Sequence, residues 1–169
     1  DQYIQQKIFA PLEMSTSTFQ LAPKDDTALA KGYSDASGPP VTPRRIYLRP
    51  AGALHTSAGE LAHFVQAMLG WGERPGGYVV DPEYLSNMEW PRTTLANLAG
   101  VRSGYGMGIY STVTLPYHVL GHNGGIDGFL SQMSWLPNER IGAIVLTNST
   151  AANIANIITY KIYDTFLGL

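Results

Sequence analysis

Apolar residues recur along this chain at several spacings, and each spacing predicts a different element. Tyr3, Ile4 and Ile8, with Lys7 between them, follow helical spacing and predict the end of an amphipathic helix over residues 1–9. Nothing ahead of Asp1 caps or covers that helix, so the chain is expected to begin in mid-domain. Leu61, Phe64, Val65, Met68 and Leu69 repeat the i, i+3, i+4 pattern, and Ser57 with Glu60 forms a capping box ahead of them. A helix over residues 58–69, stopped by Gly70, follows. A short helix is expected over 82–90, with Pro82 in its first turn.

From Tyr105 the period shortens to two. Gly104-Tyr105-Gly106-Met107-Gly108-Ile109-Tyr110 alternates glycine with larger groups, as a strand packed closely on another backbone would. Strands are expected over 118–123, 129–136 and 141–148, the last two joined by the turn Pro137-Asn138-Glu139-Arg140. The strand over 141–148 is apolar on both faces, which predicts a mid-sheet position with a partner along each edge and helices on both sides. A closing helix is expected over 153–166. Asn153 is its N-cap candidate and Ile154, Ile157, Ile158, Ile162 and Phe166 its buried stripe.

Between these elements, Pro11 and Ser15-Thr16-Ser17-Thr18 end the first helix, and residues 23–50 carry five prolines, which predicts a long surface connection. Glycines 70, 72, 76 and 77 predict a loop. The whole forms an α/β pattern of the α+β kind: residues 1–100 a helical and loop region, residues 101–169 three antiparallel strands and a covering helix.

Composition narrows the function classes. At 169 residues, 44% apolar and 14% charged, the chain suits one folded domain. Eleven basic against thirteen acidic residues give no excess to attract nucleic acid, and no apolar run reaches the ~18 residues of a membrane span. The absence of cysteine excludes disulfides and thiolate metal sites. His118 and His122 have H-x-x-x-H spacing, but on a strand rising about 3.3 Å per residue the rings stand about 13 Å apart, too far to share a zinc ion. No metal or cofactor is expected.

The candidate chemistry lies in Gly121-His122-Asn123-Gly124-Gly125-Ile126-Asp127-Gly128-Phe129. Glycines here bare backbone amides, the usual donors to a developing oxyanion, beside one imidazole. A glycine-rich hairpin bend with a solvated histidine is the competing reading. Ser57 lacks the first glycine of a nucleophile elbow and is better explained as a cap.

Several segments together resemble the C-terminal half of the penicillin-recognising serine hydrolases, the β-lactamase and D,D-peptidase family with its esterase and D-aminopeptidase relatives. They are Ile8-Phe9-Ala10-Pro11-Leu12-Glu13-Met14 with Ser15-Thr16, Pro50-Ala51-Gly52-Ala53-Leu54 leading into Thr56-Ser57-Ala58, and Tyr105-Gly106-Met107-Gly108. The run from His122 to Phe129 and Leu146-Thr147-Asn148 complete the set. The resemblance implies a five-stranded antiparallel sheet flanked by helices, joined to a mostly helical subdomain with the active site between them. It further implies a Ser-x-x-Lys nucleophile, a Tyr-x-Asn or Ser-x-Asn wall and a third motif of the Lys-Thr-Gly or His-x-Gly type. His122-Asn123-Gly124 resembles that third motif. By resemblance His122 shapes the field at the serine, the Gly125 N–H is an oxyanion donor, Gly124 exposes backbone, and Asn123 faces a substrate carboxylate or amide.

The departures matter as much. Lys7, Lys24, Lys31 and Lys161 are preceded at three residues by Ile4, Leu21, Ala28 and Ile158, so no Ser-x-x-Lys occurs. Tyr84-Leu85-Ser86-Asn87 comes too late in the chain to be the second motif. The expected function is one wall of an acyl-serine hydrolase acting on an amide, ester or lactam, lacking the nucleophile helix and the first strands. The expected partners are a substrate with a carbonyl centre, and the N-terminal half of the same domain or another copy of the chain. The alternative is a non-catalytic binding or assembly fragment pairing through an exposed sheet edge. The sequence leaves the compartment open, and the resemblance is compatible with a secreted or periplasmic parent.

Overall fold

The computed structural model describes residues 2–20, 28–35, 37–42, 44, 46–74, 76–114 and 116–168. The chain opens with α1 (Gln2–Ile4), which widens into a π-helical turn over Gln5–Phe9, and continues to α2 (Arg49–Gly52), α3 (Ala58–Leu69), β1 (Glu73–Arg74) and β2 (Gly77–Tyr78). Then come α4 (Pro82–Glu89), α5 (Leu95–Leu98), β3 (Gly104–Tyr105), β4 (Tyr110–Thr114), β5 (Tyr117–Ile126), β6 (Phe129–Leu136), β7 (Ile141–Thr147) and α6 (Ile154–Leu167).

The capping signal behaves as the sequence predicts. Ser57 Oγ accepts from the Glu60 N–H at 3.2 Å, and α3 runs over the expected twelve residues. The polar run after α1 is tied to the same carboxylate: Glu60 accepts from the Thr16 N–H at 2.7 Å and from the Ser17 hydroxyl. Burial acts to raise the Glu60 pKa, but these hydrogen bonds outweigh it and hold the carboxyl below its ordinary value. α4 begins at Pro82 behind an Asp81 cap that accepts from the Glu83 N–H at 3.0 Å.

The principal sheet has five antiparallel strands in the order β3-β4-β5-β6-β7, not the three read from the sequence. The alternating segment from Gly104 divides into β3 and β4 around a bend, and the loop expected at 70–77 contains the small hairpin β1-β2. Helices pack on both faces of β7, as its apolar pattern requires. Its position differs from the expectation: β6 pairs along one side, and among the described residues no strand pairs along the other.

The two faces hold different cores. On one, Leu120, Trp135 and Gly142 share a register row that meets α3, where a side chain at 142 would strike Val65; Phe9, Met14, Met68 and Leu85 complete this core. On the other, Ser134 and Ala143 face α6, and the Tyr163 hydroxyl bonds Ser134 Oγ at 2.7 Å. The helix α6 is turned from its predicted orientation. Ala155, Thr159 and Tyr163 are buried, whereas Ile154, Ile157, Ile158 and Phe166 are exposed.

Candidate active site

β5 and β6 close in a two-residue turn at Asp127 and Gly128, with φ of 39° and 83°, the left-handed pair that a tight hairpin needs. A side chain at 128 would also lie 2.4 Å from the Tyr33 amide nitrogen, so glycine is required twice over. The turn is held from outside. Arg44 donates its backbone N–H and its Nε to the Asp127 carboxylate at 3.0 and 2.7 Å, and forms an ion pair with it at 2.6 Å. These hydrogen bonds keep the Asp127 pKa below its ordinary value.

This turn fixes which backbone groups of β5 are free. In an antiparallel ladder closed by a two-residue turn, the flanking pair exchanges both hydrogen bonds and the pattern alternates from there. The pairs Ile126 with Phe129, Gly124 with Ser131 and His122 with Met133 are therefore the bonded ones. The N–H and C=O of Asn123 and Gly125 point to the outer edge. β4 covers that edge only as far as Gly121, so among the described residues no strand occupies it along 122–126.

The side chains divide between the faces. His122 stands two residues beyond Leu120, on the α3 face, and is exposed. Its Nε2 lies 2.8 Å from the Tyr105 hydroxyl, with the rings edge to face at 5.9 Å between centroids. Asn123 falls on the opposite face. With Gly124 it lines a cavity of about 310 Å³ between the sheet and the first turns of α6. Tyr110, Gln132, Asn153, Asn156 and Tyr160 line the same cavity.

Local sequence explains this second hollow. Gly121 lets the Tyr110 ring lie across β5, since a side chain there would meet the Tyr110 hydroxyl at 2.8 Å and the Met133 carbonyl at 2.3 Å. Gln132 donates to the Tyr110 hydroxyl, fixing both. Burial pushes the Tyr110 pKa up, so it remains a neutral phenol. Asn153, expected to cap α6, occupies the N-cap position but makes no side-chain cap bond and lines the cavity instead.

His122, Asn123, Gly124 and Gly125 thus share one edge of β5, with imidazole on one face, carboxamide on the other and free amide between. His118 is separate: its Nε2 lies 2.8 Å from the buried Ser111 hydroxyl, and burial followed by Arg102 lowers its pKa against the opposing pull of Glu139. Among the described residues no group of three or more His, Asp or Glu side chains is placed to hold a metal ion. Sequence reading missed Tyr105, Tyr110, Gln132, Asn156 and Tyr160 as site residues. The one available signal was Gln132, the single carboxamide of β6, whose other polar residues are Ser131 and Ser134.

The beta-lactamase family model matches residues 1–160. The chain belongs to the beta-lactamase family. The solved octameric penicillin-binding protein homologue from Pyrococcus abyssi superposes with a TM-score of 0.76 at 26% identity, covering 99% of this chain and 37% of that one. A class C beta-lactamase from Rhodobacter sphaeroides shares the fold, with a TM-score of 0.73 at 18% identity over 98% of this chain and 53% of its own. Two curated proteins are similar in sequence. The unguisins hydrolase of Aspergillus violaceofuscus is 27% identical over 98% of this chain and 33% of its own length, and beta-lactamase-like 1 of Homo sapiens is 26% identical over 85% and 28%. The chain spans about a third of the length of these curated relatives. Its antiparallel sheet flanked by helices is the fold of the beta-lactamase family.

Proposed function

We propose that these residues form the C-terminal part of a serine hydrolase domain and supply the His122 wall of its acyl-transfer site. The observation that carries this reading is the uncovered edge of β5, where the Gly125 N–H points outward beside the exposed, Tyr105-bonded imidazole of His122. A carbonyl set against that edge would lodge its developing oxyanion on the Gly125 amide. His122 would move a proton or orient the substrate. The attacking serine is supplied by a segment outside these residues, since no Ser-x-x-Lys occurs in them.

The chemistry implied is attack of that hydroxyl on an amide, ester or lactam carbonyl, collapse to an acyl-serine as the protonated amine or alcohol departs or, for a lactam, as the ring opens with the amine still tethered, and hydrolysis of the acyl group by water. A fluorescent penicillin or fluorophosphonate probe tests it. The 169-residue chain should stay unlabelled, and the longer parent should carry the adduct on a serine outside this sequence. An adduct within residues 1–169 would overturn the reading.

A second reading, a fragment that works by assembly, is favoured by the outer edge of β7, along which no strand pairs among the described residues, and by the exposed isoleucine face of α6. Its signature would be self-association of the chain alone or capture of the N-terminal half added in trans. Sedimentation reads both.

A further inference from the structure

We propose that Asn123-Gly124 is a site of spontaneous covalent modification, at which the chain's own backbone expels the Asn123 side-chain amide as ammonia at a rate set by opening of the β5-β6 hairpin. The reaction belongs to the chain itself and proceeds with or without the hydrolase activity proposed above. Of the seven asparagines, Asn123 is the one followed by glycine. With no Cβ at 124, nothing shields that residue's nitrogen from the carboxamide beside it. Both residues are exposed, and among the described residues no hydrogen bond holds the Asn123 carboxamide. Asn148, whose neighbour Ser149 is the next smallest, is different: its Nδ2 donates to the Lys31 carbonyl at 2.9 Å.

The chemistry needs only water and hydroxide. Hydroxide takes the Gly124 amide proton, and the nitrogen attacks Cγ of Asn123, forming an N–Cγ bond. The Cγ–Nδ2 bond breaks, and ammonia leaves with a proton from water, which restores the hydroxide. Water then opens the resulting cyclic imide at either of its carbonyls, giving aspartate or isoaspartate. Either product alters the edge of β5. Aspartate sets a negative charge beside the outward Gly125 N–H, and isoaspartate inserts an extra methylene into the backbone, which breaks the alternation of faces beyond it.

The ladder guards the site. Gly124 and Ser131 are a hydrogen-bonded pair, so in the closed hairpin the attacking N–H is spent on the Ser131 carbonyl. Between that bond and the turn lies only the rung of Ile126 with Phe129, and the turn is held from outside by Arg44 Nε on Asp127 at 2.7 Å. A short hairpin end opens and closes far faster than an amide cyclises, so the observed rate is the chemical rate multiplied by the open fraction. Arg44 therefore governs the chemistry at Asn123 without touching it.

The test is peptide mapping of the 169-residue chain at pH 7.5, reading the amide-to-acid mass gain and the isoaspartate at each asparagine. The same chain in denaturing urea gives the unguarded rate. In the folded chain Asn123 should convert at least about tenfold more slowly than in urea, yet faster than Asn148. Arg44→Ala removes the side-chain clasp and should speed conversion at Asn123 about three- to tenfold, the weight of one charged hydrogen bond at a partly exposed site. Hydrogen exchange of the Gly124 amide should rise by the same factor, because both reactions need the same bond broken, while exchange of the buried Trp135 amide stays unchanged. Equal rates in the folded chain and in urea, conversion at Asn148 as fast as at Asn123, or a clasp variant that converts no faster would each overturn the proposal. So would unequal factors for conversion and Gly124 exchange, or a matching rise at Trp135, which would make the opening global.

Discussion

The hydrogen bond between His122 and Tyr105 makes the imidazole more than a solvated side chain at a strand end. The phenol holds the ring edge-on and restricts its rotation, so the other ring nitrogen has a defined direction. If the proposed hydrolase activity is assayed in a longer parent chain, His122→Ala is expected to lower kcat/KM about 10²-fold or more, the scale of a lost acid-base group. Tyr105→Phe keeps the ring contact and removes one hydrogen bond, so a loss of about three- to tenfold is expected. Steady-state kinetics with one ester substrate checks both, and a Tyr105→Phe enzyme as impaired as His122→Ala would mean that the tyrosine itself acts. The glycine run singled out His122 and Gly125 as candidates, and the structure places both along the part of β5 whose outer edge no described strand covers. Tyr105 was hidden because it stands 17 residues away and meets His122 only through the path β3-β4-β5.

Among the elements, α3 and β6 could be read to the residue and α6 could not be oriented. A capping box and a change of period are local signals, and both survive folding unchanged. The helix α6 has isoleucines on one side and Ala155, Thr159 and Tyr163 on another, and periodicity alone favours the isoleucines. The sheet decides otherwise: its α6 face offers Ser134 and Ala143, where a small residue packs close and the Tyr163 hydroxyl finds a partner. Tyr163→Phe is expected to cost about 1 kcal/mol in urea unfolding, the net worth of a buried hydrogen bond. Gly121→Ala should cost more, about 1–3 kcal/mol, since the added methyl presses on the Met133 carbonyl and the Tyr110 hydroxyl. The same variant should disturb the Tyr110 end of the cavity, visible as a shift of the Tyr110 ring signals.

At the scale of the molecule, two surfaces and one half-buried acid set the behaviour. The open edge of β7 and the isoleucine face of α6 lie where no other described element covers them, and they predict concentration-dependent association of the chain alone. Ile157→Lys together with Ile158→Lys should shift sedimentation toward monomer, and an unchanged distribution would assign association to the strand edge. Glu89 supplies a pH dependence. Burial pushes its carboxyl from 4.5 up to about 7, against the easing effect of Trp135 and Arg102. The native state then keeps a proton that the unfolded chain has lost, so stability falls as pH rises through that window. Melting temperatures between pH 4.5 and 7.5 should show this fall, and Glu89→Gln should flatten it. The five-strand count was not legible, because two-residue strands such as β3 carry almost no pattern; hydropathy placed β7 mid-sheet, and its open edge was expected only from the absence of the family's first two strands.

The tip of the β5-β6 hairpin is clasped by residues far away in the chain: Arg44 grips Asp127 across 83 positions, and the Tyr33 amide donates to the carbonyls of Gly128 and Asn148. Contacts of such long range form late, after the loop-closure entropy has been met, and they are the first to open under mild stress. The proposed active-site edge is therefore expected to open before the core. Gentle warming or dilute urea would silence it while the helices and the Trp135 core were still intact.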